Sequence, residues 1–337
     1  MQAAQMERAL GCWLGQLSGD ALGSMTEGLS PTEIQERWPD GVKQMEGSPR
    51  WHTAPGQPTD DSEMAMELAY SLQESYPHFD INVIAFHYRN WMESDPFSCG
   101  HSIAKALTGH FSVGLSSLAS SIERQANQES QANGALMRQS PLGIWGYGIE
   151  RSRLAEAARQ DARLTHPHGV CQEASAVYVT TLAEIIAQGL TPKAAYQYAL
   201  DFQNQEGTEP SVRECLLAAQ EPSLCTPPFS PHSGHVLVAL HNAFYQLLYA
   251  ADLQSVIVET AQLGGDTDTN AAIAGALAGA VHGKGNIPAD WIRAIEECRP
   301  DAAEDARRPR PERYWPGGYQ ELVRGLVGLM ATPRRPH

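Results

Sequence analysis

Apolar residues at helical spacing are the feature that most constrains the fold of this chain. Met64, Leu68 and Leu72 recur every four residues, which places them on one face of a helix. A second helical pattern stops at Gly189, and Pro192 stands where the first turn of another helix would begin. Runs of alternating β-branched residues between hairpin turns, the usual sign of strands, do not occur. Helices are predicted near residues 62–75, 174–188, 235–250, 269–282 and 319–329, so the sequence predicts an all-α protein.

Three segments are less clear. Residues 256–258 fit a short strand or a helix equally well, and residues 116–131 are polar enough for an exposed helix or a loop. Residues 299–313 are charged and rich in proline, which predicts a surface connection. No repeat of 20–50 residues and no flexible linker interrupts the middle of the chain, so a single domain over residues 1–337 is expected.

Composition excludes several classes of protein. The formal charge of −15 disfavours binding to bare nucleic acid or to anionic lipid, but suits a protein that holds divalent cations. No apolar run reaches the roughly 18 residues that a membrane-spanning helix needs. The six cysteines include no C-x-x-C pair, which argues against a zinc ribbon and a disulfide-stabilised secreted fold. The first residues lack the layout of a secretory signal, so a cytoplasmic protein is expected.

Two glycine-rich segments predict close packing. The predicted helix AAIAGALAGAVH contains Gly275 and Gly279, and glycine inside a helix usually has a packing reason. Near the start, residues 15–23 read GQLSGDALG and are followed by Glu27. Glycine at this density beside an acid predicts a tight helix crossing or a loop near a ligand. Taken alone this signal is weak, and a residue such as Glu27 is usually a solvated surface charge.

Two clusters each combine a hydroxyl with two carboxylates directly before a predicted helix. The first is Thr59-Asp60-Asp61 and the second lies in residues 264–269, GGDTDT. Either cluster fits an N-cap, since Asp and Thr oxygens accept hydrogen bonds from free backbone N–H groups, and Asp60 with Glu63 has the spacing of a capping box. Adjacent aspartates repel each other unless a cation is present, and hard cations prefer such oxygen ligands. The residues alone leave both explanations open.

In order along the chain, these segments resemble the ADP-ribosylglycohydrolase family. The resemblance spans nearly the whole sequence. Its motifs are G-x-x-x-G-D-A-x-G at residues 15–23, T-D-D at 59–61, N-G-x-x-M-R at 133–138, T-H at 165–166, and G-G-D-T-D-T at 264–269 before G-A-x-A-G-A.

The resemblance implies a compact orthogonal multi-helix bundle with a dinuclear metal cleft. It also implies a metal-dependent hydrolase that removes ADP-ribose from a modified protein side chain, using two divalent cations, Mg²⁺ or Mn²⁺. The metal ligands expected from it are Thr59, Asp60, Asp61, Asp266, Asp268 and Thr269. The expected catalytic residues are Glu27, Asp61 and Asp266. Asn133, Gly134, Met137, His166 and Gly265 are expected to bind substrate. The partners implied are an ADP-ribosylated protein as substrate and ADP-ribose as product.

One position departs from the family pattern. Relatives that act on ADP-ribosyl-arginine often have P-x-D-I-G, and its aspartate faces the guanidinium. Here residues 96–100 read PFSCG, with Ser98 at the place of that aspartate. The acceptor side chain is therefore not fixed by the resemblance, although Asp95 is near enough in sequence to substitute.

Other readings remain at this point. A non-catalytic protein of the same fold could bind ADP-ribose, or neutralise a toxin as an immunity module. A phosphoesterase could use the same dinuclear centre. Arg138 fits either a salt bridge or a phosphate contact. His166 and His168 lack the further ligands of a zinc site.

Overall fold

Helices make up the framework of the computed structural model, which describes residues 2–110, 112–224, 233–304 and 306–331. Within those ranges there is no β-strand, and one isolated bridge pairs Ala132 with His235. The all-α prediction is confirmed.

The helices are α1 (Gln2–Gly23), α2 (Pro31–Arg37), α3 (Asp60–Ser75), α4 (Ile81–Glu93), α5 (His101–Leu107), α6 (Leu115–Gln125), α7 (Ser140–Gly146), α8 (Arg151–Thr165), α9 (Gly169–Gln188), α10 (Pro192–Glu206), α11 (Pro210–Ala219), α12 (Val236–Tyr249), α13 (Leu253–Gln262), α14 (Thr267–His282), α15 (Ala289–Glu297) and α16 (Tyr319–Ala331). Short 3₁₀ helices span Asn133–Arg138, Lys284–Asn286, Ala302–Glu304, Glu312–Tyr314 and Pro316–Gly318.

The predicted helix boundaries agree closely with the structure. Helix α9 ends at Gln188, and Gly189 follows in the left-handed conformation with φ of 72°, where a glycine has no Cβ clash. Pro192 is the first residue of α10. Residues 256–258 lie inside α13, so the helical alternative applies there. Helix α3 begins at Asp60, which places both aspartates of the first cluster in its first turn.

The closest helix pair is α1 with α14, and glycine makes this contact possible. A Cβ atom added to Gly15 would lie 2.7 Å from the carbonyl carbon of Gly275, closer than real Cβ atoms approach a backbone. Four glycines of α1 face α14 backbone in this way, and their partners run in the opposite order, so the helices are antiparallel. These glycines are Gly11, Gly15, Gly19 and Gly23. The contact places the end of α1 beside the start of α14.

Buried apolar residues from helices along the whole described chain form one continuous core. Its largest fully buried aromatic side chains include Trp13, Trp91, Trp291, Tyr88 and Tyr178. This continuity supports the expectation of one domain, which stays a prediction. Among the described residues, none of the helices combines the length and the apolar character that crossing a membrane requires.

The connection between α15 and α16 contains one buried arginine. Most described residues of 299–313 are exposed, as expected of a surface connection, but Arg310 is only 6% exposed. Its guanidinium forms two 2.8 Å hydrogen bonds with the carboxylate of Glu63 in α3. A buried arginine is tolerated when its charge is paired and its donors are used, which explains why this one charged residue departs from the prediction.

Candidate functional site

A cavity of about 340 Å³ opens where the starts of α3 and α14 meet. Ten of the twelve predicted site residues line it, although they are spread over more than 240 positions of the sequence. They are Glu27, Asp60, Asp61, Asn133, Gly134, Met137, His166, Asp266, Asp268 and Thr269. Thr59 and Gly265 do not line it. Arg50, Trp51, Ser98 and His101 also line the cavity.

Helix capping does not explain the two aspartate clusters. Thr59 is the N-cap of α3 and Asp266 is the N-cap of α14, yet neither side chain makes a capping hydrogen bond. Glu63 does not complete a capping box, because its carboxylate binds Arg310 and the indole Nε1 of Trp91. The carboxylates of these clusters are therefore available for another role.

Asp20 organises the start of α3 from within α1. Its carboxylate is fully buried and accepts four hydrogen bonds from two residues. Thr59 donates from its backbone N at 3.0 Å and its Oγ1 at 2.8 Å, and Ser62 donates from its N at 3.1 Å and its Oγ at 2.6 Å. Sequence reasoning assigned Asp20 no role, although the aspartate inside the G-D-A-x-G motif was a usable signal.

Too few hydrogen-bonding protons are available for the carboxylate oxygens around Asp61. Thr59 Oγ1 lies 2.8 Å from Asp20 Oδ1 and 2.9 Å from Asp61 Oδ2, but a hydroxyl has one proton to donate. The other oxygen of Asp61, Oδ1, is buried and has no hydrogen-bond partner. An unpartnered buried carboxylate oxygen is costly unless a proton or a cation meets it.

The pKa values of the aspartates also indicate that their negative charges lack a compensating positive charge. Burial raises the pKa of Asp61 well above its ordinary value, and the charges of Asp20, Asp60 and Asp266 raise it further. The pKa of Asp268 is also raised well above its ordinary value, first by burial and then by Asp61 and Asp266. Burial raises the pKa of Asp20 to about 7 despite its four hydrogen bonds. Each of these groups would ionise more readily beside a cation.

This donor set fits hard divalent cations, which prefer carboxylate and hydroxyl oxygens. In the described part of the chain, no three Asp, Glu, His or Cys side chains form a complete coordination group by themselves. Protein oxygens would therefore be joined by hydroxyls and water, which is the usual arrangement for Mg²⁺.

Glu27 is held at the rim of the cavity. Its carboxylate accepts a short hydrogen bond from Trp51 Nε1 and lies 3.5 Å from Arg50 Nε. The Arg50 guanidinium also stacks over the Trp51 ring, 5.2 Å from its centre. The Glu27 side chain is 16% exposed, so it is not a fully solvated surface charge. Sequence reasoning missed Arg50 and Trp51, since no motif marks them.

Gly265 fixes the turn that carries Glu27. Its carbonyl accepts from Gly28 N at 2.8 Å, and its own N donates to Leu29 O at 3.1 Å. Its φ of 78° lies in the left-handed region, and a Cβ there would meet Ser233. In this geometry Gly265 supports the site through its backbone and does not line the cavity.

His166 lies against Gly134, which leaves no room for a side chain at that position. A Cβ on Gly134 would be 3.0 Å from His166 Cε1. Burial, and then the charge of Arg138, lowers the pKa of His166 to about 3, so the ring is neutral near pH 7. Thr165 Oγ1 accepts from Arg138 Nη1 at 2.9 Å and lies 2.9 Å from His166 Nδ1. The threonine proton is thus available to Nδ1, which assigns the ring proton to Nε2.

Arg138 supports the fold and does not line the cavity. It is fully buried, and its Nε lies 3.1 Å from Asp161 Oδ2. Of the two possibilities for this arginine, the structure favours the salt bridge over the phosphate contact. Asn133 does face the cavity, and its Nδ2 donates to Asp266 Oδ2 at 2.7 Å.

Ser98 stands beside the predicted metal ligands. Its Oγ donates to Asp60 Oδ1 at 2.5 Å, and Gly100 N donates to Asp60 Oδ2 at 3.3 Å. Asp95 was expected to be able to replace the missing family aspartate, but it does not line the cavity. Its φ of 57° turns the chain after α4, and its carbonyl accepts from Arg310.

Comparisons with known proteins identify the family of this chain. The sequence pattern of a family described as ADP-ribosylglycohydrolase matches residues 1–318. The chain is 27% identical to an ADP-ribosyl-[dinitrogen reductase] glycohydrolase from Rhodospirillum rubrum, covering 86% of this chain and 90% of that protein. It is 25% identical to the ADP-ribosylarginine hydrolase Tri1 of Serratia proteamaculans, over 86% of this chain and 76% of that one. A solved structure titled ADP-ribosylglycohydrolase-related protein complex superimposes with a TM-score of 0.76 and 26% identity, covering 97% of this chain and 99% of the other. The chain belongs to the ADP-ribosylglycohydrolase family.

Proposed function

We propose that this chain is a metal-dependent glycohydrolase that cleaves the bond between ADP-ribose and a modified protein side chain. The observation that carries the proposal is the group of aspartates around one cavity, with a buried, unpartnered oxygen on Asp61 and pKa values raised by burial and mutual repulsion. Relatives that hydrolyse ADP-ribosyl bonds support the substrate class.

The predicted ligands that line the cavity come from two helices. Asp60 and Asp61 project from α3, and Asp266, Asp268 and Thr269 project from the start of α14. Thr59 as a ligand stays a prediction, since its hydroxyl contacts Asp20 and Asp61 here. Two bound cations, Mg²⁺ or Mn²⁺, would neutralise these carboxylates, bind substrate hydroxyls and lower the pKa of a bound water.

The chain's own residues would orient the sugar and move the proton. Glycoside cleavage passes through a transition state with positive charge on the ribose. We assign proton transfer to Glu27, held by Trp51 at the cavity rim. Asp61 and Asp266 would help to orient the attacking water. His166 Nε2–H, Asn133 and Met137 are proposed to contact ADP-ribose, as His166 and Asn133 present donors to the cavity.

The non-catalytic alternative has less support, because the whole acidic set and Glu27 face the cavity. A cytoplasmic location and an immunity role with a toxin partner stay predictions. The linkage also stays a proposal. We favour arginine as the first acceptor to test because the Serratia relative is named for it, although no carboxylate occupies position 98.

The test measures release of ADP-ribose from arginine-linked and serine-linked mono-ADP-ribosylated protein, with Mg²⁺, with Mn²⁺ or with EDTA. Products are identified by mass spectrometry. Metal-dependent release of intact ADP-ribose is expected, and the faster substrate identifies the linkage. Release of AMP or phosphate would support the phosphoesterase reading. ADP-ribose binding without release from any linkage would refute the hydrolase in favour of a binding module.

A further inference from the structure

The segment before α16 contains one buried arginine whose hydrogen-bonding capacity is completely used. The Arg310 side chain is 3% exposed, and each of its five N–H groups has an acceptor. Nε and one Nη2 proton bind the Glu63 carboxylate, each at 2.8 Å. Nη1 donates to the carbonyls of Ser94 at 2.8 Å and Asp95 at 3.2 Å, and Nη2 also donates to Ser94 Oγ at 2.8 Å.

These acceptors belong to the two elements that place Asp60. Glu63 is in the first turn of α3, three residues after Asp60. Asp95 is the left-handed residue, with φ of 57°, that directs the chain toward Ser98. Ser98 Oγ then donates to Asp60 Oδ1 at 2.5 Å. A single guanidinium therefore ties the helix that carries Asp60 to the loop that holds its carboxylate.

Two residues earlier, Arg308 contacts Trp51, which lines the same cavity. Its Nε donates to the Trp51 carbonyl at 2.8 Å, and its own carbonyl accepts from Gln57 Nε2 at 2.7 Å. The Trp51 indole is the hydrogen-bond donor to Glu27. Arg308 thus fixes the backbone of the residue that holds the proposed proton-transfer group.

We infer that Arg308 and Arg310 act as positioning residues for the reaction, each setting a different wall of the cavity. Arg310 sets Asp60 through Glu63 and the 94–98 loop, and Arg308 sets Glu27 through Trp51. The inference rests on the proposed function for its kinetic consequences. Its structural part, the placement of Asp60, is tested separately by metal affinity.

Substituting each arginine in turn separates the effects of the two walls of the cavity. Arg310→Lys keeps the charge but cannot bind both Glu63 oxygens and the Ser94 and Asp95 carbonyls at once. Losing a partner that orients a metal ligand typically costs about 10–100-fold in metal affinity or activity. We expect Arg310→Lys to weaken Mn²⁺ binding and to lower kcat by about that factor, with KM nearly unchanged. Arg308→Ala should lower kcat by about tenfold through misplaced Glu27 and leave Mn²⁺ affinity as in wild type.

Tyr314→Phe is the matched control. The Tyr314 hydroxyl donates to Glu67 at 2.6 Å, which ties the same segment to the same helix one turn farther from Asp60. Its loss should lower the melting temperature and leave both Mn²⁺ affinity and kcat within about twofold. Mn²⁺ binding is followed by electron paramagnetic resonance of the free ion, and kinetics are measured well below the lowest melting temperature.

The outcomes distinguish positioning from general stability. If folded Arg310→Lys matches Tyr314→Phe in both Mn²⁺ affinity and kcat, Arg310 has only a structural role and the inference fails for it. Wild-type kcat in Arg308→Ala overturns the second half. If Arg310→Lys does not fold, Ser94→Ala, which removes one of its five contacts, takes its place with the same expected direction. If wild-type protein releases no ADP-ribose, the proposed function fails, whereas the Mn²⁺ comparison still decides the role of Arg310.

Discussion

Replacing Asp20 by asparagine tests whether this buried carboxylate builds the site. The asparagine oxygen can still accept from one of the two donor residues, but its NH₂ group must face the other. A facing hydroxyl can rotate to accept, whereas the backbone N–H of Thr59 or Ser62 cannot. One buried backbone donor is left unsatisfied, which costs about 1–3 kcal/mol. Weaker hydrogen bonds from the loss of charge add to this cost.

The same substitution also has a stabilising effect, which opposes the lost hydrogen bond. The charge of Asp20 raises the pKa of Asp61, so removing it relieves repulsion among the aspartates. In the metal-free protein this relief stabilises the fold. In the metal-bound protein the cations already neutralise the cluster, so the relief is largely absent. We therefore expect Asp20→Asn to destabilise the Mg²⁺-saturated protein more than the metal-free protein.

The assay is thermal melting with saturating Mg²⁺ and with EDTA, together with Mn²⁺ affinity. Ser62→Ala serves as the control, because it removes one donor to Asp20 without placing two donors against each other. Asp20→Asn should lower the Mg²⁺-bound melting temperature by several degrees, and weaken Mn²⁺ binding about 10–100-fold. An Asp20→Asn protein with unchanged Mn²⁺ affinity and a melting temperature equal to that of Ser62→Ala would refute the reasoning.

Three further predictions follow from the same structure. Gly15→Ala places a Cβ 2.7 Å from a carbonyl carbon of α14, so it should destabilise the protein by about 1–3 kcal/mol, measured by denaturant melts against an exposed Gly285→Ala. Asp268→Asn should abolish ADP-ribose release while circular dichroism stays helical, and full activity would remove the metal-site assignment. Burial alone would lower the pKa of His87, but hydrogen bonds to Glu67 and Glu74 outweigh it and raise the pKa. Protonated His87 therefore stabilises the folded protein fully below the pKa of about 6.5 that histidine has in the unfolded chain. This stabilisation is lost as the pH rises through the higher pKa of the folded state. His87→Gln should flatten the melting temperature over that interval, and an unchanged profile would contradict this assignment.

Sequence reasoning found the parts of the site that depend on local chemistry. Adjacent aspartates repel each other, and glycine is unfavourable in the middle of a helix, so each feature signals a role beyond the helix itself. Gly275 predicted close packing, and the structure shows α1 backbone against it. The family resemblance implied one cleft for the two acidic clusters, and Asp61 and Asp268 do line one cavity.

The missed residues act through contacts that sequence spacing does not encode. Arg310 lies 247 positions from Glu63 and sits in a segment whose charge and proline content resemble a surface connection. Trp51 meets Glu27 through a turn with no recognisable motif. Whether such a charged residue is buried depends on its partner in the folded structure. A single sequence shows local patterns but does not show which distant residues contact each other.

The geometry also explains why the site depends on glycine far from the chemistry. Asp20 is on α1, and Asp268 is on α14, so their approach requires the two backbones to be nearly in contact. Glycine at the crossing allows this approach, and the same approach brings like charges together. Burial is the largest cause of the raised pKa of Asp268, and the charge of Asp20 is among those that raise it further. Burial of that many carboxylates opposes folding unless protons or cations accompany them. A ligand that binds only the folded chain stabilises it in proportion to the logarithm of its concentration. At the proposed metal site, metal binding would therefore be coupled to completion of the α1–α14 contact, and a substitution that separates the two helices should weaken metal binding without touching a ligand.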